Sequence, residues 1–185
     1  VKIVARRIAK GRRYTRPMSL ILETDRLVLR ELEASDARQL RLLNENLNVY
    51  RYTGDGPLAD DEEASAILRD RIFPQYRLHG VGRWAVEQKA DGSFIGWCGF
   101  KFMPETGVYD LGYRFFEAFW GRGLGTEAAA ACMTWFSKRF PGKLVEGRSR
   151  IENLGSIRIL EKVGLQRVGE ENDLDGRVFV YRARV

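Results

Sequence analysis

The sequence predicts a mixed α/β fold, α+β in its ordering, with a mostly antiparallel twisted central sheet of about seven strands and about four helices. Three observations carry this. Two strand-like segments, Trp84 to Glu87 and Phe94 to Met103, flank the hairpin signal Ala90-Asp91-Gly92-Ser93. A further strand-like segment, Gly107 to Phe116, runs through Gly121, Gly123 and Gly125 into an alanine-rich helix. The whole string reads β-α-α-β-β-β-α-β-α-β-β, with no internal repeat and no second domain.

Taken in order, Arg26 to Leu32 sets Leu27 and Leu29 against Val28, Arg30 and Leu32, which reads as a first strand partly buried on both sides. Ser35-Asp36 caps a helix to about Asn44, with Ala37, Leu40 and Leu43 on one face. Residues 46–56 read as a polar loop containing Tyr50, Arg51 and Tyr52. Asp60, with Glu63 three residues on, is an acidic variant of the capping box and opens a second helix that runs to about His79-Gly80. After the hairpin and the glycine run, Leu124, Ala128, Ala131, Cys132, Trp135 and Phe136 keep a 3.6 period until Pro141-Gly142. Leu144 to Arg150 is a fifth strand. Asn153 to Lys162 is a short helix closed by Gly164, and Leu165 to Glu171 with Gly176 to Arg184 is a closing hairpin.

At 185 residues the chain suits one domain with a sizeable core. No apolar run approaches the roughly 20 residues of a membrane span, so no membrane partner is expected. Cys98 and Cys132 lie in apolar surroundings without metal spacing, which favours reduced thiols, a cytoplasmic location and no metal. The net charge of +6 is uneven. Residues 1–17 hold seven of the 31 basic residues and no acid, leaving 24 basic against 25 acidic residues in the remainder. Residues 1–17 therefore read as a basic, disordered or non-native extension, and 18–185 as a single domain. A tail of this kind also suits RNA, a ribosome or an acidic membrane, or a transit peptide poor in serine.

The run Phe115 to Glu127 carries the chemistry. Glycine lets backbone approach a ligand, and the first turn of a helix leaves N–H groups unpaired at the positive end of its dipole. Together they make a phosphate or pyrophosphate site, with Arg122 as an adjacent cation. A P-loop is excluded because no lysine follows the last glycine. A dinucleotide fingerprint counted from Gly123 puts Ala128 in the third glycine position and survives on spacing, but the antiparallel-looking strands before it argue against it. A tight strand-to-helix turn without ligand is the plain alternative.

The run resembles the pyrophosphate loop of GNAT N-acetyltransferases, Gln/Arg-x-x-Gly-x-Gly/Ala, with Trp120 in the Gln/Arg position. Its form Trp-Gly-x-Gly-x-Ala/Gly-Thr-Glu-Ala is that of the RimJ/RimL-like branch. A second match follows about 30 residues later: Asn153-Leu154-Gly155-Ser156, with Gly164-Leu165 closing it, resembles Asn-x-x-Ala/Ser-x-x-x-x-x-x-x-Gly-Phe. The resemblance spans residues 22 to about 184 and implies a GNAT fold splayed at an acetyl-CoA site. It implies that Gly121, Arg122, Gly123, Leu124, Gly125 and Thr126 hold the pyrophosphate. Backbone at Tyr113 and Phe115 would pair with pantetheine, and Asn153 and Ser156 would flank its arm and thiol. Helix capping is the plain reading of Asn153 and Ser156, and the two are compatible.

The reaction implied is transfer of acetyl from acetyl-CoA to a primary amine by direct attack. Many relatives release the thiol with a tyrosine where this chain has Leu160, and Ser156 is the substitute donor. Asp110 stands where relatives place an acidic base. It shares a strand face with Arg114, whose proximity would weaken it as a base. Tyr50, Arg51 and Tyr52, with the hairpin near Asp173 and Asp175, would contact the amine. That amine is a ribosomal or other protein N-terminus, or a small molecule, and a homodimer is left open. His79 is expected at the surface. A cysteine nucleophile at Cys98 or Cys132 lacks an activating environment. Two other classes stand beside the enzyme: a non-catalytic acyl-CoA-binding module on the same fold, and an RNA- or ribosome-binding protein acting through the tail.

Overall fold

A computed structural model describes residues 20–173 and 176–185; the expected extension, 1–17, lies outside them. The described residues form one eight-stranded sheet: β1 (Leu20–Glu23), β2 (Leu27–Glu31), β3 (Arg83–Gln88), β4 (Phe94–Met103), β5 (Val108–Phe115), β6 (Leu144–Arg150), β7 (Gln166–Asp173) and β8 (Gly176–Arg184). Their order is β1-β2-β3-β4-β5-β6-β8-β7, and every neighbouring pair is antiparallel except β5 and β6. One strand more is present than the sequence shows. β1 is only four residues long, and its pairing with β2 shifts register, so it has no period to read.

The helices are α1 (Ala37–Glu45), α2 (Leu47–Tyr50), α3 (Asp61–Ile67), α4 (Phe73–His79), α5 (Leu124–Arg139) and α6 (Leu154–Lys162). The expected second helix is divided: a π-helical stretch, Leu68–Ile72, separates α3 from α4. Pro74, in the first turn of α4, has no N–H to return to the preceding turn, and the widened stretch lies just before it. The expected polar loop contains α2, where Asn46 caps by accepting from Asn48 N–H. Asp60 caps α3 by accepting from Glu63 N–H at 2.9 Å, and Glu63 in return accepts from Ala59 N–H at 2.7 Å.

Helices cover both faces of the sheet. α5 buries Leu124, Ala128, Cys132 and Phe136 against Trp84, Cys98, Phe100 and Leu111. On the other face Leu32, Ala37, Leu40, Ala64, Leu68 and Ala85 form a smaller core, with Trp97 and Phe94 packed on it. A buried ion triad, Arg30 with Asp36 at 2.7 Å and Glu87 at 2.8 Å, fixes β2 and β3 to the turn that leads into α1. Removing one partner of such a triad leaves a buried charge, at a cost of about 3–5 kcal/mol.

The feature that positions the site is the parallel junction. β5 and β6 pair only at Tyr109 with Val145 and Asp110 with Glu146. β5 continues to Phe115 and β6 to Arg150 without further pairing, so a wedge opens toward their C-terminal ends. α5 follows β5 and α6 follows β6, so both helices start at the open end.

Candidate active site

The wedge is a cavity of about 940 Å³. Leu111 to Phe115 line one wall and Arg148 to Arg150 the other, with the starts of α5 and α6 at the end. Asn48, Val49, Arg51, Tyr52 and Thr53 from α2 and the loop after it close the opposite side, together with Trp97 and Asp110. Phe116 N–H bonds Ile95 C=O on β4. Because N–H direction alternates along a strand, the N–H groups of Tyr113 and Phe115 point away from β4, into the wedge.

At the start of α5, Gly123 stands at φ 75°, a left-handed conformation costly for a side chain, and no side chain caps the helix. The N–H groups of Leu124, Gly125 and Thr126 lie ahead of the first intrahelical bond, Glu127 N–H to Gly123 C=O at 3.0 Å. Three open donors and the helix dipole fit a pyrophosphate. Glu127 fixes this end from outside: its carboxylate accepts from Thr24 Oγ1 at 2.5 Å, Arg26 N–H at 3.1 Å and Arg26 Nε at 2.6 Å. Arg26 also donates to Arg122 C=O at 3.0 Å. Burial pushes the Glu127 carboxyl up, but the donors from Thr24 and Arg26 outweigh it, and the net shift is downward.

At the start of α6, Asn153 accepts from Ser156 N–H at 3.1 Å. The Tyr113 hydroxyl crosses from β5 to the same place, 2.9 Å from Ser156 C=O and 3.0 Å from Ser156 Oγ. Burial raises the Tyr113 phenol well above its ordinary value, and the bond with Ser156 opposes this only in part. Leu160 is buried beneath, packed over Gly147.

On the opposite side of the wedge the electrostatics differ from the sequence expectation. Arg114 does not pair with Asp110. It turns to Asn44 and to Asp55, at 2.9 and 3.1 Å, which ties the loop after α2 to the sheet. Asp110 pairs instead with Arg83 of β3, two strands away, a partner that strand periodicity cannot reveal. Arg83 also donates to Gly99 C=O at 2.5 Å and Asp110 C=O at 2.8 Å. Its path requires Gly112, where a Cβ would stand 2.6 Å from the guanidinium. Trp97 stacks with both cations, 5.3 Å from Arg83 Cζ and 5.6 Å from Arg114 Cζ. Glu117 holds the start of α2 by accepting from Asn46 at 2.7 Å and Asn48 at 3.0 Å.

Asp110, Tyr113, Phe115, Gly121, Gly123, Leu124, Gly125, Thr126, Asn153, Ser156, Arg51, Tyr52 and Asp173 thus line one cavity. Tyr50 and Arg122 do not; Arg122 lies over the Phe119 ring. Asp173 pairs with Arg150 at 2.5 Å, and Asp175 lies outside the described residues. Arg83, Asp55 and Glu117 carry no signal in the sequence; Trp97 lies in Ile95-Gly96-Trp97-Cys98-Gly99, a segment within the family resemblance, and Glu127 closes the glycine run, but neither has a site role on sequence alone. His79 is half-buried, its ring 4.6 Å from Phe102. Cys98 and Cys132 are fully buried with sulfurs 3.6 Å apart, and burial pushes the Cys132 thiol well up. Among the described residues no cluster is placed to hold a metal ion, and no helix is long and apolar enough to cross a membrane.

The model of the acetyltransferase (GNAT) domain matches residues 26–166, and the chain belongs to that family. It is 37% identical over 151 residues to the uncharacterized protein YkkB of Bacillus subtilis (strain 168), covering 78% of this chain and 84% of that one. It is 27% identical over 156 residues to the uncharacterized N-acetyltransferase p20 of Bacillus licheniformis, covering 83% and 86%. Among solved structures, RimL, described as a ribosomal L7/L12 alpha-N-protein acetyltransferase in complex with coenzyme A, superposes with a TM-score of 0.78 at 18% identity, covering 90% of this chain and 98% of that one.

Proposed function

We propose that this acetyltransferase moves the acetyl group of acetyl-CoA onto a primary amine by direct attack, and that the wedge between β5 and β6 is where it does so. The observation that carries the reading is the convergence on that wedge of open N–H donors at the start of α5 and a serine hydroxyl at the start of α6. The pyrophosphate would rest on Leu124, Gly125 and Thr126 N–H, with Gly121 and Gly123 allowing close approach and Arg122 adding charge from outside. Pantetheine would run along the free edge of β5 at Tyr113 and Phe115. One of those N–H groups would face the oxyanion of the tetrahedral intermediate.

The amine would enter past Arg51 and Tyr52, over Trp97. Asp110 Oδ2 accepts from Arg83, and Oδ1 has no protein donor among the described residues. Oδ1 is therefore left to accept a proton from the amine, directly or through water. At the other end Ser156 would donate to sulfur as the thiolate departs. The RimL neighbour makes a protein N-terminus the first amine to try. An α-amine is already partly neutral at pH 7, which suits a carboxylate shared with a guanidinium.

A second reading, acyl-CoA binding without turnover, is favoured by Leu160 in place of a tyrosine and by the engagement of Asp110 with Arg83. Thiol release from acetyl-CoA across a panel of peptide N-termini, lysine side chains, polyamines, amino acids and aminoglycosides separates the two. Amine-dependent thiol release with matching acetylated product is expected. Binding of acetyl-CoA with no release on any amine would establish the second reading instead.

A further inference from the structure

The Tyr113 hydroxyl meets Ser156 across the wedge, and the reading above gives it no role beyond its backbone. We infer that Tyr113 is a positioning residue for the serine: its phenol holds Ser156 Oγ so that the serine hydrogen is directed at the departing sulfur. This deepens the proposed reaction and rests on that reading of Ser156.

The geometry supports it on three counts. Tyr113 reaches both Ser156 oxygens, at 2.9 and 3.0 Å, so one donor hydrogen is shared between a carbonyl that can only accept and a hydroxyl that can do either. When the phenol donates to Oγ, the hydrogen of Ser156 is free for another acceptor. Asn153 fixes the same residue from the backbone side through Ser156 N–H, so the hydroxyl has little freedom except rotation. The phenol is half-buried at the cavity wall, where desolvation keeps its proton on, so it acts as a hydrogen-bond donor rather than an acid. Tyr113 thus approaches from the strand the place that Leu160, an aliphatic residue, cannot serve from the helix.

The proton count closes without net change in either side chain. The amine nitrogen forms the C–N bond to the thioester carbonyl, whose π pair moves to oxygen. On collapse that pair returns and the C–S bond breaks with its electrons on sulfur. Ser156 passes its hydroxyl proton to sulfur; Asp110 takes one proton from the nitrogen and returns it through cavity water to Ser156. The products are the amide and the free thiol, and Tyr113 keeps its proton throughout.

The test is kcat and KM for acetyl-CoA in the full chain, its Tyr113→Phe and Ser156→Ala variants and the double variant, each normalised to the folded fraction that binds acetyl-CoA. One neutral hydrogen bond predicts a kcat about 3- to 10-fold lower in Tyr113→Phe with KM nearly unchanged. The double variant should be no slower than Ser156→Ala, because residues acting through one another are not additive. Wild-type kcat in Tyr113→Phe, an effect confined to KM, or a second full loss in the double variant would overturn the inference. Wild-type kcat in Ser156→Ala would remove the serine reading together with it. Absence of turnover in the parent chain with acetyl-CoA bound would instead refute the transferase reading.

Discussion

Ser156 and Asp110 are legible in the sequence to different degrees. Ser156 falls in a motif with fixed spacing, and its neighbours Asn153 and Gly164 are local, so its place at a helix start follows directly. Asp110 is placed by the family resemblance, but its cation partner is Arg83, 27 residues away, and that choice depends on the absence of a side chain at Gly112. Ser156→Ala should lower kcat by about 100-fold, the low end for general acid catalysis, because water can replace a hydroxyl. KM for acetyl-CoA should change less, since the interaction forms only as the thiolate does. Asp110→Asn should cost less than Ser156→Ala with a peptide N-terminus and more with a lysine side chain, whose pKa of about 10.4 demands greater help. Steady-state kinetics with the two amines measures the difference. An Asp110→Asn loss independent of the amine would show that the carboxylate serves only to hold Arg83.

At the scale of elements, the start of α5 combines an uncapped glycine entry with an external anchor. The glycine spacing shows the entry, whereas the anchor joins Glu127 to Thr24 and Arg26, more than 100 residues apart in sequence. α2 has no helical signature in sequence because its four residues carry no period, and the π stretch is indistinguishable from helix there because Ala64, Leu68 and Ile72 keep a four-residue apolar spacing. The folded-state pKa of Glu127 is below its ordinary value, so the unfolded chain takes up the proton first as pH falls. The stabilisation from this carboxylate is therefore complete above the unfolded value and is lost as pH falls through the folded one. Glu127→Gln should lower Tm at neutral pH, and its deficit should shrink below about pH 4. Thermal melts across that range test it, and a deficit constant with pH would mean that charge is not what holds the helix start.

For the whole molecule, hydrophobic periodicity and turn residues show the chain order of seven strands and four helices, because both are local properties of the chain; which face of the sheet each helix covers is not. The divergence of β5 from β6 has no local signature, and only the family resemblance announced it. The buried core described here falls between Leu27 and Tyr181. Residues 1–17 carry seven basic residues and no acid, and on the reading of them as an extension their deletion is expected to leave Tm and turnover nearly unchanged. A large loss in either would give those residues a docking or recruiting role.

The claim on which the rest depends is that acetyl-CoA lies in the wedge, with its pyrophosphate on the start of α5. Amide hydrogen exchange with and without acetyl-CoA reads this directly, since the N–H groups of Tyr113, Phe115, Leu124, Gly125 and Thr126 are the ones left open there. Their exchange should be fast in the free protein and slow selectively on adding acetyl-CoA, while β7 at the far edge stays unchanged. Binding of acetyl-CoA that leaves these five amides exchanging at the free rate would contradict the assignment of the site.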